Sequence, residues 1–205
     1  MAILLDAALT ISMVVFGGPK SDPGRIPAEW QVKEHSGKAQ ISSCGENADF
    51  CVRLTSLNSS FSLEHSVDLN PGDLPYLTWS WKVAQLPPAG DFRKTSTDDQ
   101  AAQVLVAFAD RRVLSYIWDS NAPKGTMQTA SAIPLVHLVA VVCESGAKDL
   151  NKWLNETRNV AADYARAFGK PAPRIKGVRL QINTQHTGGW AETSFGQVAF
   201  RSTPE

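Results

Sequence analysis

The chain has 205 residues, 43% hydrophobic and 20% charged, and its 20 basic and 20 acidic side chains cancel to a formal net charge of +0. That length fits a single domain with a sizeable core. The charge balance, with no long run of like charge, excludes the electrostatic footprint that a nucleic acid or an anionic membrane surface requires.

The chain opens on AILLDAALTISMVVF, residues 2–16, an apolar stretch the length of a signal-peptide core. It lacks a basic leader, Asp6 interrupts it, and no small-x-small cleavage site follows. It is also shorter than the ~20 apolar residues of a membrane-spanning helix, and nothing later resembles one, so no membrane insertion is expected. Residues 1–20 read either as a degenerate signal segment or as a first strand, and residues 21–205 as a single β-sandwich domain.

Cys44 and Cys51 bracket GENADF between the strand-like runs AQISS and VRLTSL. A hairpin there would set the two cysteines side by side at the ~5.5 Å Cα separation of a disulfide. The spacing is too wide for a redox Cys-x-x-Cys, and no second pair completes a zinc site. A disulfide would favour an oxidising location, periplasmic or extracellular; the alternative is two reduced thiols in a cytosolic protein. Cys143 reads as a buried free thiol.

Period-two alternation dominates the rest. In YLTWSWKV, Leu77, Trp79, Trp81 and Val83 share one face and Thr78, Ser80 and Lys82 the other. AAQVLVAF and IPLVHLVAVVC are apolar on both faces, as central strands are, and RVLSYIWD is mixed. In ETRNVAADYARAFGK, Val160, Ala161, Tyr164, Ala165 and Phe168 make a helical stripe, with Asn159 or Thr157 as N-cap, Gly169 at the C-terminal end and Pro171 beyond. IKGVRLQINTQ turns Val178, Leu180 and Ile182 inward and Arg179, Gln181, Asn183 and Gln185 outward, and GQVAFR closes the chain. Turn signals (NPGDLP, LPPAGD, NAPKGT, GKPAP) separate these runs. The expected fold is all-β: an antiparallel β-sandwich of jelly-roll type with one packed α-helix.

YLTWSWKV, LPPAGD with TDDQAAQVLVAF, LSYIWDS with APKGT, ETRNVAADYARAFG and INTQHTGGWAETSFGQVAF together closely resemble a bacterial family, the domain of unknown function numbered 3047, from about Trp30 to Phe200. The resemblance implies an exported protein, and its layout is similar to the galactose-binding-like jelly rolls of carbohydrate-binding modules. Where the family pattern carries Asp-x-Asp-Asn-Thr, this chain has Asn183, Thr184, Gln185, His186 and Thr187, so two carboxylates have become amides.

Candidate chemistry begins with Asp98 and Asp99. Adjacent residues on an extended backbone point to opposite faces, so the two cannot form a facing dyad and at most one joins a site. A structural calcium would draw on Asp98 or Asp99, Asp119, Glu144, Asn183 and Gln185, which come from separate strands, and the expectation is no metal and no cofactor. His35, His65, His137 and His186 share no zinc spacing, and His186, in a polar Gly-flanked loop, is the functional candidate among them. No nucleophile elbow is present. A glycosidase pair could be Asp119 with Glu144 or Asp98 with Asp163. Arg158 and Glu156 read as anchors of the helix to the sheet.

Planar amides and a guanidinium bond sugar hydroxyls, and aromatic rings stack on sugars. The expectation is therefore a non-catalytic binding module for a glycan or other small polar ligand. Its site would be Asp99, Trp118, Asp119, Arg179, Gln181, Asn183 and His186, with Trp118 stacking and Tyr116 or Trp190 as alternatives. Trp79 and Trp81 are expected in the core. The alternatives are a glycan hydrolase or lyase using Asp99, Asp119 or Glu144, and an envelope protein-interaction module.

Overall fold

A computed structural model describes residues 10–17, 26–44, 50–130 and 137–204. They form β1 (Ser12–Phe16), β2 (Gln31–Ser36), β3 (Gln40–Ser43), β4 (Val52–Leu57), β5 (Ser60–Leu69), β6 (Tyr76–Gln85), β7 (Ala102–Phe108), β8 (Arg112–Asp119), β9 (Met127–Thr129), β10 (His137–Ser145), β11 (Leu154–Asn159), α1 (Val160–Phe168), β12 (Ile175–Asn183) and β13 (Trp190–Arg201). One sheet runs β11-β6-β13-β4-β3 with β1 also on β13; the other runs β2-β5-β12-β7-β8-β10-β9. All pairings are antiparallel except β8 with β10, which is parallel. A parallel pair needs a long crossover, and the connection carrying β9 supplies it.

The sheets pack through interdigitated aromatic rings. Trp79 meets Tyr116 at 5.3 Å between centroids, and Trp81 meets Trp118 at 5.9 Å. Leu54, Leu77, Val83, Phe195 and Phe200 from one sheet and Phe61, Leu63, Val104, Leu180 and Ile182 from the other complete the layer, all fully buried. Trp79 and Trp81 are thus core residues, and so are Tyr116 and Trp118. Their alternation partners on β8, Val113, Ser115 and Ile117, face outward. On β10 the second apolar face belongs to a small cluster in which Phe92 and Ala122 cover Ile117, Ala140 and Val142, whereas on β7 the outward Leu105 and Ala107 line cavities on the sheet's open face.

β1 pairs with β13, and the Trp30 indole N–H donates to the Val15 carbonyl (2.8 Å). The rest of the apolar N-terminal run, residues 2–9, lies outside the described residues, as does the start of IPLVHLVAVVC. β3 and β4 form the expected hairpin, and Cys44 and Cys51 are disulfide-bonded with Cα atoms 5.2 Å apart. Cys143 is a buried free thiol that burial pushes above its ordinary pKa.

The helix is capped at both ends: Asn159 Oδ1 accepts from the Ala162 N–H (2.9 Å), and Gly169 takes φ 70°. The left-handed region favours glycine there. Asp163 anchors the helix, accepting two hydrogen bonds from Arg158 (2.8 and 2.6 Å) and one from the Tyr116 hydroxyl (3.0 Å). Residues 154–159 form an edge strand rather than the approach to the helix, because two inward positions carry the polar Glu156 and Arg158 and mask the alternation.

Glu156 sits between the sheets near Glu144, which is ion-paired with Lys124, and beside the Trp81 indole. Burial, then Glu144, raises the Glu156 pKa from 4.5 to about 7. The folded state therefore keeps a proton that the unfolded chain releases, a contribution to stability present below pH 4.5 and lost as pH rises through 7. Glu156→Gln should flatten the fall in melting temperature between pH 5 and 8 and be more stable than the parent at pH 8 by about 1 kcal/mol, measured by thermal unfolding. Trp118→Ala should cost about 3–5 kcal/mol of stability as a core truncation, read by chemical denaturation.

Candidate functional site

The open face of the seven-stranded sheet carries the candidate site. Lateral neighbours share a face, and register sets them in rows. One row is Glu64, Arg179, Leu105, Ser115 and Ala140; the next is Ser62, Gln181, Gln103, Ile117 and Val142; beyond it Ser60 lies beside Asn183. Polar side chains thus occupy β5 and β12, β7 and β8 mix Gln103 and Ser115 with Leu105 and Ile117, and β10 is apolar. Two adjoining cavities of about 360 and 460 Å³ lie along this face and share Leu105, Leu138 and Arg179. Asn183 to Gly177 spans about 20 Å of strand, so the face forms a groove running along β12.

The groove's end is built by Asp99. Its carboxylate, with no exposed surface, accepts from the backbone N–H of Thr187 (2.6 Å), the Thr187 hydroxyl (2.7 Å), the backbone N–H of His186 (3.2 Å) and the Asn183 amide (3.2 Å). Asn183 is committed on both sides: its Oδ1 accepts from the Gln100 N–H (3.1 Å) and Gln103 Nε2 (2.6 Å), and its Nδ2 also donates to the Asp98 carbonyl (2.6 Å). These bonds clamp the loop after β12 to the segment before β7.

Asp98 points the other way, into the groove, where it accepts from Gln100 Nε2 (2.9 Å). Burial raises its pKa, opposed by that hydrogen bond and by His186. The adjacent carboxylates do point apart, but the groove member is Asp98 and the anchor is Asp99. His186 Nδ1 lies 3.0 Å from the Asp98 carbonyl and 3.3 Å from Asp99, two acceptors that hold its proton, and its exposed ring borders the groove. Across the groove, Arg179 pairs with Glu64 (2.9 Å), and His35 contacts Ser62 (3.0 Å). Burial and the Arg179 charge lower the His35 pKa.

Of the residues expected from sequence, Arg179, Gln181, Asn183 and His186 converge here with Gln185, and Asp99 supports them from beneath. Trp118 and Asp119 do not. Trp118 is buried between the sheets and donates to the Gly146 carbonyl (3.1 Å), so it has no face to offer a sugar. Asp119, also buried, accepts from the N–H groups of Phe92 (3.0 Å), Asn121 (2.8 Å) and Ala122 (2.7 Å), pinning two loops. Glu144 faces Lys124, and Asp163 is held by Arg158, so neither expected carboxylate pair opens on the groove. Among the described residues no group of three or more His, Cys, Asp and Glu is arranged to hold a metal ion. Sequence reading missed Gln103, Gln100, Ser60, His35 and the apolar floor. A lone Gln within AAQVLVAF was the available signal.

The family of proteins of unknown function DUF3047 matches residues 28–199, the stretch that contains every residue lining the groove. The chain belongs to that family. No curated protein matches it by sequence. Among solved structures, the xyloglucanase domain of NopAA, a type three effector from Sinorhizobium fredii in complex with cellobiose, is similar at TM-score 0.54 and 8% identity, covering 87% of this chain and 96% of that one. Endoglucanase cel12A from Rhodothermus marinus is similar at TM-score 0.50 and 8% identity, covering 93% and 99%. A family 11 carbohydrate-binding module from Clostridium thermocellum follows at TM-score 0.49 and 6% identity, covering 92% and 93%. At such identities the first two show a shared β-sandwich fold. The DUF3047 chain therefore has to be read from its own groove.

An aspartate at 183 would set a carboxylate against Asp99 and lose both amide donors. Asn183→Asp should destabilise the protein by about 2–4 kcal/mol at pH 7 and by much less near pH 4, where the new acid can protonate, as followed by urea unfolding at the two pH values.

Proposed function

We propose that this protein is exported and binds a glycan chain non-catalytically in the groove along β12. The observation that carries the reading is Gln181, half-exposed at the groove centre, whose side chain makes, among the described residues, only a long 3.4 Å contact from Arg179. Its amide can donate to one sugar hydroxyl and accept from the next, as planar amides do. Arg179, Asp98 and His186 flank it with further donors and acceptors. Leu105, Leu138 and Ala130 give the apolar floor on which a pyranose ring can lie. The groove's length suits a chain rather than a single sugar.

The arrangement of the groove's acids favours binding over hydrolysis. Glu29, Glu64 and Asp98 line it; Glu64 is held by Arg179 (2.9 Å), and the β12 rows beside Glu64 and Asp98, at Arg179 and Asn183, lie about 13 Å apart along the strand, against about 5–10 Å between the two carboxylates of glycosidases. Export is supported by the Cys44–Cys51 disulfide, which persists in oxidising compartments.

A glycan array followed by calorimetry on the best ligand tests this. Gln181→Ala should lower affinity about tenfold while leaving the melting temperature unchanged, because one or two hydroxyl bonds and no packing are lost. Arg179→Ala should act in the same direction. Binding that is indifferent to both substitutions would place the glycan elsewhere.

A further inference from the structure

We infer that the opposite face of the sandwich carries a second saccharide site, built on Trp153 and selective for a sugar bearing a carboxylate. Trp153 immediately precedes β11 and is 45% exposed; Trp30, Trp79, Trp81 and Trp118 are buried, and Trp190, also exposed at 44%, lies outside the pocket described next. A single exposed ring is ordinary on a protein surface; a ring that forms one wall of a cavity is not. Here the ring borders a pocket of about 330 Å³ with Ser80, Lys82, Asn155, Gly196, Gln197, Phe50 and the Cys44–Cys51 disulfide.

Three local features make this pocket. First, β13 slips register between Phe195 and Val198 against β6, a bulge that re-aims the side chains there. Second, the bulge contains Gly196, where an added Cβ would collide with the Ser80 hydroxyl and come within 3.6 Å of the Trp153 ring, so the absent side chain leaves the space. Third, register sets Ser80 opposite Asn155 and Lys82 opposite Ser194, lining the polar positions of β6 and β11 along one side.

The chemistry of the lining selects the ligand. Among the described residues Ser80 and Asn155 make no side-chain hydrogen bond, and Lys82 has no carboxylate partner, only the Trp153 ring 5.4 Å from its ammonium. An exposed indole beside uncommitted hydroxyl, amide and ammonium groups matches a pyranose, whose C–H face stacks on the ring while its hydroxyls meet the polar groups. Among the described residues Lys82 is the pocket's sole charged side chain. A cation without a partner discriminates in favour of an anionic ligand, so a uronate is preferred over a neutral sugar. Nothing here uses the groove along β12; the two residue sets are disjoint.

The test titrates the full chain with hexamers of galacturonate and of mannuronate, with cellohexaose as the neutral control, reading tryptophan fluorescence and calorimetry at low and high salt. At least one uronate hexamer should bind more tightly than cellohexaose, with an affinity that falls as salt rises. Trp153→Ala should weaken it at least tenfold, Trp153→Phe should keep most of it, and Lys82→Gln should remove both the salt dependence and the preference over cellohexaose. Gln181→Ala, in the other groove, should leave it unchanged. Failure of both uronates to bind, or uronate binding unaffected by Trp153→Ala and Lys82→Gln, would overturn the inference. Glucan binding lost in Gln181→Ala, with neither uronate bound by the parent chain, would overturn it while leaving the groove reading intact.

Discussion

The structure depends on one buried anion. Asp99 has no solvent-exposed surface and no guanidinium or ammonium partner, and its carboxylate is stabilised by two backbone N–H groups, one hydroxyl and one amide. A buried carboxylate without such donors would be strongly unfavourable, so these groups must be in place for the fold to close. The donors come from the turn after β12 and the acceptor from the segment before β7. The bonds therefore join two neighbouring strands at the end where the groove is built, and they fix the orientation of Asp98 and His186.

The same logic recurs around the sandwich. Asp119 collects three N–H groups from two loops, and Asp163 collects Arg158 and Tyr116 beneath the helix. Carboxylates here serve as internal fasteners for irregular backbone, whose N–H groups lack ladder partners. That use removes them from chemistry. The groups left facing the groove are mostly neutral amides and hydroxyls, with His35 and His186 beside them, a lining suited to hydrogen bonding more than to charge.

Much of the fold was legible because the strong period-two runs each bury one row in the inter-sheet layer, and the helix announced itself by Asn159, its stripe and Gly169. The elements that were not legible share a cause. β11 is an edge strand with Glu156 and Arg158 turned inward, and β5 alternates Phe61, Leu63 and Val67 with Ser60, Ser62, Glu64 and Ser66 but is interrupted by His65, which stacks on Trp30. For the site, the polar row of β12 was readable from alternation alone. Trp118 was misplaced because RVLSYIWD carries hydrophobic residues on both faces, so parity could not say which row is the core. Asp98 and Asp99 show the limit clearly: adjacency dictates that they diverge, but only the partners contributed by residues 183–187 decide which one turns inward.

Those partners also explain the amide at 183. The position must accept from Gln100 and Gln103 and donate to the Asp98 carbonyl and Asp99. An amide does both with one neutral group. A carboxylate could do only the accepting half, and its charge beside Asp99 would need a shared proton or a bound cation to be tolerated. Where the family resemblance carries aspartates at 183 and 185, this chain closes the groove end with amide hydrogen bonds. The groove end is consequently held by hydrogen bonds within the fold. A glycan bound as proposed would meet a preformed surface, which is the condition under which a few amides and an apolar floor can give useful affinity.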